Sequence, residues 1–292
     1  MNEKKEILAS AIRKGSTLWA AGAYDALSAK LIQEAGFPAV MTTGFGISAS
    51  HLGQPDAELY TMSENLNVVT KVVDVVSVPV IADADTGYGN AVNVMRTVRE
   101  FERAGVQALI LEDQESPKRC PAAANVVEIL PIEEAQAKIS AAVDARSSTS
   151  TLIIARTDAL EEEEAIARGI AYAEAGADLV QPISRTFSDF AGLSRFRERV
   201  GLPLSLQILG WLESDLNVKQ IESIAGLAVF PLVALMTVTA ALRVNLAELA
   251  NSKESVNLPC SVTSMNDFKD LIGFKDIESI QQKFLAKENL GN

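Results

Sequence analysis

Short, continuous apolar runs alternate with amphipathic stretches along most of this chain. Runs at residues 17–21, 39–43, 78–82, 108–112, 152–156, 179–181, 204–207 and 227–230 have the length and character of buried strands. Between them, apolar positions recur at helical spacing over residues 26–35, 62–75, 91–104, 132–145, 162–175 and 189–200. One junction repeats. Glu34-Ala35-Gly36, Arg103-Ala104-Gly105, Glu174-Ala175-Gly176 and Ile224-Ala225-Gly226 each place a glycine where a helix should stop, with an apolar strand close behind. Repeated helix–glycine–strand units imply parallel strands joined by crossover helices. Eight of them in 292 residues predict an α/β fold, a (β/α)8 TIM barrel. A doubly wound open sheet is the runner-up, but no Gly-x-Gly-x-x-Gly follows the first strand.

Beyond Phe230-Pro231 the chain reads as helix to about Asn251, breaks at Asn257-Leu258-Pro259, and ends in an amphipathic helix over 265–285. A barrel does not need these extra C-terminal helices. Val233, Leu235, Val238, Ala241 and Leu242 make the first of them apolar on more faces than a solvated helix tolerates. The reading is one barrel domain over 1–292, with 232–292 serving subunit contact in a dimer-based homo-oligomer.

Composition narrows the function classes. A net charge of −12 argues against nucleic acid or an anionic membrane as partner. No uninterrupted run approaches the roughly 18 apolar residues of a spanning helix. The start, Met1-Asn2-Glu3-Lys4-Lys5-Glu6, lacks a signal peptide's apolar core. Cys120 and Cys260 make no disulfide framework, so a reducing cytoplasm is the expected location. His51 is the single histidine, which excludes a histidine-rich metal site.

Candidate chemistry gathers at strand ends. In Val80-Ile81-Ala82-Asp83-Ala84-Asp85-Thr86-Gly87-Tyr88-Gly89-Asn90, two carboxylates at period-2 spacing follow a buried strand. Two like charges on one side of a strand call for a shared proton or a cation, and a hard ion such as Mg²⁺ is the simplest answer; a solvated turn is the plain alternative. Glu112-Asp113-Gln114 ends the fourth strand, and the long connection over 115–131 carries Lys118, Arg119 and Cys120 as a candidate lid. Arg156, in Ala155-Arg156-Thr157-Asp158, suits a bidentate grip on an anion, or a structural ion pair with Asp158 or Glu112.

These motifs together resemble the isocitrate lyase/phosphoenolpyruvate mutase superfamily. Ala23-Tyr24-Asp25-Ala26-Leu27-Ser28-Ala29, Leu52-Gly53-Gln54-Pro55-Asp56, the Asp83–Asn90 run, Glu112-Asp113-Gln114, Pro117-Lys118-Arg119-Cys120 and Ala155-Arg156-Thr157-Asp158-Ala159 match it in order and spacing, from about residue 7 to residue 250. The branches most similar are 2-methylisocitrate lyase and the carboxyphosphonoenolpyruvate mutase-like proteins. The resemblance implies Mg²⁺, or Mn²⁺ in its place, on Asp83 and Asp85, with Asp56 and Glu112 reaching it directly or through water. It implies substrate binding by Tyr24, Thr43, Gly44, Phe45, Asp83, Arg156 and Gln207, and catalysis by Cys120, Lys118 and Arg156. Cys120 would protonate the enolate face, its thiol made more acidic by Lys118 and Arg119. The implied reaction makes or breaks a bond to C3 of a 2-oxo or 2-hydroxy acid through a pyruvate-type enolate, in a dimer of dimers that exchanges a C-terminal helix. Within enzymes, a phosphoenolpyruvate mutase, a phosphonopyruvate hydrolase or an oxaloacetate decarboxylase is the alternative. Outside them, it is a barrel that has lost turnover.

Departures from the family pattern cluster. Cys120 is followed by Pro121-Ala122-Ala123-Ala124 where the lyase branch has Gly-His. Ile183 stands where the family has a glutamate, Gln207-Ile208-Leu209-Gly210 replaces Asn-x-Thr-Glu, and Met236 replaces an arginine. With Val233 and Trp211 alongside, the half of the site that would hold a second carboxylate becomes apolar. A carboxylate buried there unpaired would cost several kcal/mol, so the distal arm of the substrate is expected to be apolar, or much less charged than in methylisocitrate, unless Arg185 turns inward.

Overall fold

The computed structural model describes residues 2–119 and 127–285. Eight parallel strands follow one another around a closed barrel: β1 (Leu18–Ala23), β2 (Ala39–Thr42), β3 (Val80–Asp83), β4 (Ala108–Glu112), β5 (Leu152–Thr157), β6 (Leu179–Pro182), β7 (Leu204–Gln207) and β8 (Ala225–Phe230), with β8 pairing back to β1. The barrel is as the sequence pattern predicts, with strand ends shifted by one or two residues. Helix α1 (Asn2–Arg13) precedes it. The connections hold α2 (Ala26–Glu34), α3 (Gly44–Ile47), α4 (Met62–Val75), α5 (Ala91–Ala104), α6 (Ile132–Ala145), α7 (Glu162–Glu174), α8 (Phe190–Val200), α9 (Trp211–Asp215) and α10 (Val218–Ile224). Side-chain caps start several of them: Asp25 and Ser28 bond reciprocally at α2, Thr61 and Glu64 at α4, and Asn90 caps α5.

Strand residues alternate between two cores. Leu18, Ala20, Met41, Ile81, Ile110, Ile154, Leu179 and Val229 fill the lumen with Leu8 and Ala9 of α1 packed against them. Val40, Val80, Leu109, Leu111, Ile153 and Val180 point outward onto helix residues such as Val72, Val98, Phe101, Ile139 and Phe196. Because side chains alternate every residue, the inward set continues at the carboxyl ends as Tyr24, Asp83, Glu112, Arg156, Gln181 and Gln207. The parity that fills the lumen therefore aims these groups at its mouth. It also separates the adjacent acids of β4. Glu112 faces in, while Asp113 faces out to the Tyr172 hydroxyl (2.6 Å) and the Arg168 guanidinium (3.2 Å) of α7.

Two sequence expectations need correction here. Gly36, Gly105 and Gly176 end helices with φ near +90°, but Gly226 lies inside β8. The β7–β8 register runs from Leu204↔Ala225 to Ser205↔Leu227, so Gly226 is the extra residue of a bulge. The single helix predicted over 265–285 is two, α12 (Met265–Leu271) and α13 (Phe274–Phe284), divided where Gly273 turns left-handed at φ 80°.

Met1–Leu235 forms one compact unit and Met236–Asn292 a second, with α11 (Val233–Ser252) running across the boundary. Within the second unit, Asn245 bonds both backbone groups of Cys260 (2.8 and 3.0 Å), and Ser264 caps α12. None of its described residues is buried; Leu242, Leu246, Ile277 and Phe284 are all more than half exposed. Helix α11 is, by length and composition, apolar enough to cross a membrane, with mean hydropathy 1.4 over its best window. Polar interruptions such as Thr237, Thr239, Arg243 and Asn245 hide this from a count of consecutive apolar residues.

Candidate active site at the barrel mouth

Asp83 closes β3 and both its oxygens meet backbone. Oδ2 accepts from the Gly44 N–H (3.0 Å) and Oδ1 from the Asp85 N–H (3.2 Å). Asp85 sits two residues on, left-handed at φ 49°, a conformation that costs a non-glycine residue about 1 kcal/mol or more. Its Oδ2 accepts from the hydroxyls of Tyr60 (2.6 Å) and Tyr88 (2.9 Å), which leaves Oδ1 pointed into the site. Asn65 ties the turn down from α4, bonding the Asp83 carbonyl (2.8 Å) and the Tyr88 oxygen (2.6 Å).

The Lys118 ammonium stands among the acids: 2.5 Å from Asp85 Oδ1, 3.1 Å from Asp56 Oδ1 and 3.8 Å from Glu112 Oε1. Arg156 lies opposite Glu112 in the strand register. Its Nη1 is 2.8 Å from Glu112 Oε2, and its hydrogen bonds go to Asp158 through Nε and Nη2. Both ion-pair partners anticipated for Arg156 are therefore present. Gln114 joins the cluster from behind, donating to Glu112 (3.2 Å) and Asp158 (2.6 Å).

Five carboxylates, those of Asp56, Asp83, Asp85, Glu112 and Asp158, thus surround two cations at a buried mouth. Burial, then repulsion from Asp85, raises Asp83 to about 6 against the pull of Lys118 and Arg156. Burial raises Glu112 to about 8 despite Arg156 and Lys118, and it raises Asp56 as well. Burial alone would depress Lys118, but Asp85, Glu112 and Asp56 outweigh it and hold the ammonium well above an ordinary lysine. The cluster is short of positive charge.

That shortage, and the donor set, fit a hard divalent ion. Asp56 Oδ1, Asp85 Oδ1 and Glu112 Oε2 are buried with no hydrogen-bond partner, although each has a cation beside it. Among the described residues no three acidic, cysteine or histidine side chains converge tightly enough to chelate an ion unaided. Mg²⁺ commonly takes one or two carboxylates and completes its shell with water and substrate. Gly44 lets the backbone pack close against the acids, since a Cβ there would lie 2.6 Å from the Tyr60 oxygen, 3.0 Å from Asp83 Oδ2 and 3.1 Å from Asp85 Oδ1.

The other predicted residues fall around this centre. Tyr24 is half-buried at the end of β1, its hydroxyl pKa raised by burial and then by Asp25. Buried Thr43 and half-buried Phe45 flank Gly44 at the start of α3. Gln207 donates to Gln181 (3.3 Å), which also accepts from Ser205 (2.7 Å). The Lys118 ammonium is paired with the carboxylates, and Arg119 pairs with Glu128 at 2.9 Å. The described ends of the 115–131 connection pair with each other, Gln114 bridging Ile129 and the Glu115 N–H bonding the Glu128 carbonyl. Cys120 lies outside the described residues. Ile183, Leu209 and Trp211 are half-buried on the loops after β6 and β7, where the Trp211 indole N–H holds the Ser184 carbonyl (2.7 Å). Arg185 and Val233 are exposed, and Met236 belongs to the second unit.

Sequence reading missed Glu58, Tyr60, Asn65 and Gln181 as parts of the site. Asn65 left a signal, since it shares the buried stripe of α4 with Val69 and Val72. Gln181 left one in the inward parity of β6.

The phosphoenolpyruvate phosphomutase family matches residues 8–250. A 2,3-dimethylmalate lyase from Eubacterium barkeri is 40% identical over 272 residues, covering 91% of this chain and 92% of its own. A 2-methylisocitrate lyase from Aeropyrum pernix is 37% identical over 281 residues, covering 93% and 88%. Among solved structures, phosphonopyruvate hydrolase in complex with oxalate and Mg²⁺ superposes with a TM-score of 0.87 at 32% identity, over 97% of this chain and 99% of that one.

Proposed function

The chain belongs to the phosphoenolpyruvate phosphomutase family, and from that membership we propose that it is a Mg²⁺-dependent carbon–carbon lyase that makes or breaks a bond to C3 of a 2-oxo or 2-hydroxy acid. The observation that carries this reading is the charge-deficient carboxylate cluster with Asp85 Oδ1 and Asp56 Oδ1 turned inward. Asp83 and Asp85 would hold the ion, with Asp56 and Glu112 in direct contact or one water away. When bound, the cation supplies positive charge to the C2 oxygen and carboxylate of the substrate as the bond breaks.

The protein's own groups supply the rest. Gly44 lets the backbone after β2 close onto the Asp83–Asp85 turn, where its N–H holds Asp83 Oδ2. Arg156 would turn its Nη1, now 2.8 Å from Glu112 Oε2, to an anionic group of the substrate, while Nε and Nη2 stay on Asp158. Lys118 offsets negative charge that develops at the mouth, and the Cys120 thiol donates the proton to the carbon left behind. A reducing cytoplasm would keep that thiol free.

The distal arm of the substrate is apolar, or much less charged than in methylisocitrate, in this reading. Ile183, Leu209 and Trp211 offer it no charge, and the neighbouring Gln181, Ser205 and Gln207 are neutral and mutually bonded. The dimethylmalate lyase relative has a named substrate that carries methyl branches and keeps the second carboxylate of malate, which favours an arm less charged than that of methylisocitrate. We also propose a homo-oligomer, a dimer of dimers exchanging C-terminal helices, because the second unit buries none of its described residues. The test is release of pyruvate from alkyl-substituted malates with Mg²⁺ and with excess chelator. Equal release in both would overturn the metal-dependent reading, and no release from any 2-hydroxy or 2-oxo acid would leave a barrel without turnover. A monomeric mass by light scattering would refute the assembly.

A further inference from the structure

Glu58 lies in the connection between β2 and α4, two residues after Asp56, with a left-handed backbone at φ 53°. The side chain shows what that unfavourable conformation achieves. Its Oε1 accepts from the hydroxyl of Thr86, the residue after Asp85. Its Oε2 accepts from the Ser116 hydroxyl (2.7 Å) and from the Lys118 N–H (3.1 Å). One carboxylate therefore joins three connections of the mouth: its own, which carries Asp56; the turn that carries Asp85; and the stretch that ends at Lys118.

The Lys118 side chain is long and flexible, and its ammonium is a point charge that contributes only where its backbone is held. Two restraints hold that backbone. One is Glu58. The other is the Arg119 N–H on Gln114 Oε1 (3.0 Å). We propose that Glu58 is a positioning residue for Lys118: it clasps the Ser116–Lys118 backbone to the Asp85 turn, so that the ammonium arrives at Asp85 and Asp56. It touches neither reacting atoms nor the acids that would hold the metal. The clasp rests on the proposed function only in its effect on turnover, not in its geometry.

The test has one arm that needs no substrate. Hydrogen–deuterium exchange is followed at residues 115–119 in the wild type, Glu58→Ala, Glu58→Gln and Ser116→Ala. Loss of the acceptor should speed exchange at the Lys118 amide by roughly tenfold or more in Glu58→Ala, with a smaller rise in Glu58→Gln, which keeps one acceptor oxygen. The second arm is a cycle of Glu58→Ala, Lys118→Ala and their combination. A displaced ammonium should lower kcat on the order of 10²-fold in Glu58→Ala, with little change in KM, and the double variant should be no worse than Lys118→Ala. Wild-type exchange at the Lys118 amide in all three variants would overturn the clasp, as would independent, multiplying losses in the cycle. If the wild type turns over nothing, the functional reading fails while exchange still decides the clasp. If Glu58→Ala does not fold, Glu58→Gln and Ser116→Ala carry the same comparison.

Discussion

The two sides of the barrel mouth are built on opposite principles. From β3 to β5 the inward positions at the strand ends are Asp83, Glu112 and Arg156, joined by Asp56, Asp85 and Lys118 from the loops. From β6 to β7 they are Gln181 and Gln207, a neutral layer whose amides bond each other and Ser205. The barrel gives both sides the same backbone geometry, so the difference is chemical. Burying carboxylates costs several kcal/mol each unless cations offset them, and here the cations are outnumbered. A protein tolerates such a deficit where a ligand will correct it. The neutral side carries no deficit and asks for no charge from a substrate. The mouth would bind one end of its substrate by charge and the other by shape.

The sharpest way to break that contrast is to remove its charged centre. Asp85→Ala should lower turnover by at least about 10³-fold, and so should excess chelator, while far-UV circular dichroism stays that of a folded barrel. Near-normal rates in chelator would remove the metal from the mechanism. Cys120→Ser comes next, with a loss of roughly 10²–10⁴-fold if the thiol is the positioned acid. An unchanged rate would move the chain toward the mutase or decarboxylase branches. Gly44→Ala should weaken Mg²⁺ by roughly 10–100-fold in calorimetric titration, because its Cβ would crowd Asp83, Asp85 and Tyr60. Wild-type affinity would show that the packing there is looser than it looks.

The pH dependence follows from the same deficit. Glu112 at about 8 and Asp83 at about 6 both lie above their ordinary values. A raised acid favours folding fully below its unfolded pKa, and that advantage fades as pH rises through the folded value. Metal-free protein should therefore lose a few degrees of Tm between about pH 4 and pH 8. Added Mg²⁺ needs ionised carboxylates, so it should raise Tm more at pH 8 than at pH 5. An equal metal effect at both would argue that these acids are not its ligands. The smallest effect lies on the neutral side. Each methylene added to the distal arm should improve kcat/KM about fourfold, from roughly 0.8 kcal/mol of burial. A strong preference for isocitrate or methylisocitrate would reverse the reading, and Arg185→Ala would then show whether that residue supplies the charge.

The two sides also differed in how much of them could be read in advance. Asp83, Asp85, Glu112 and Arg156 stand within contiguous motifs at strand ends, so their positions marked them and the family resemblance implied their roles. Lys118 was marked too, but as a neighbour of the Cys120 thiol. The structure adds what spacing could not, the pairing of its ammonium with Asp85 and Asp56, while its backbone N–H is held by Glu58 and the next one by Gln114. Gln181 went unmarked because neutral amides on a buried strand look like ordinary wall residues until the barrel closes.

Alone, the sequence determined the eight strands, their parallel order and the placing of Asp83, Glu112 and Arg156 at strand ends. Those follow from local periodicity, and a one-residue slip would turn every lumen side chain outward. Tertiary structure alone decided which acids share a cation, that Asp113 serves α7 while Glu112 serves the site, and that Tyr60 and Tyr88 take one oxygen of Asp85 and leave the other open. It also decided that Gly226 is a bulge rather than a helix stop. Most of these contacts join elements far apart in the chain, from 25 residues between Tyr60 and Asp85 to 60 between Glu58 and Lys118. No local pattern encodes such a distance; it is set by the closure that brings the carboxyl ends of the strands to one rim.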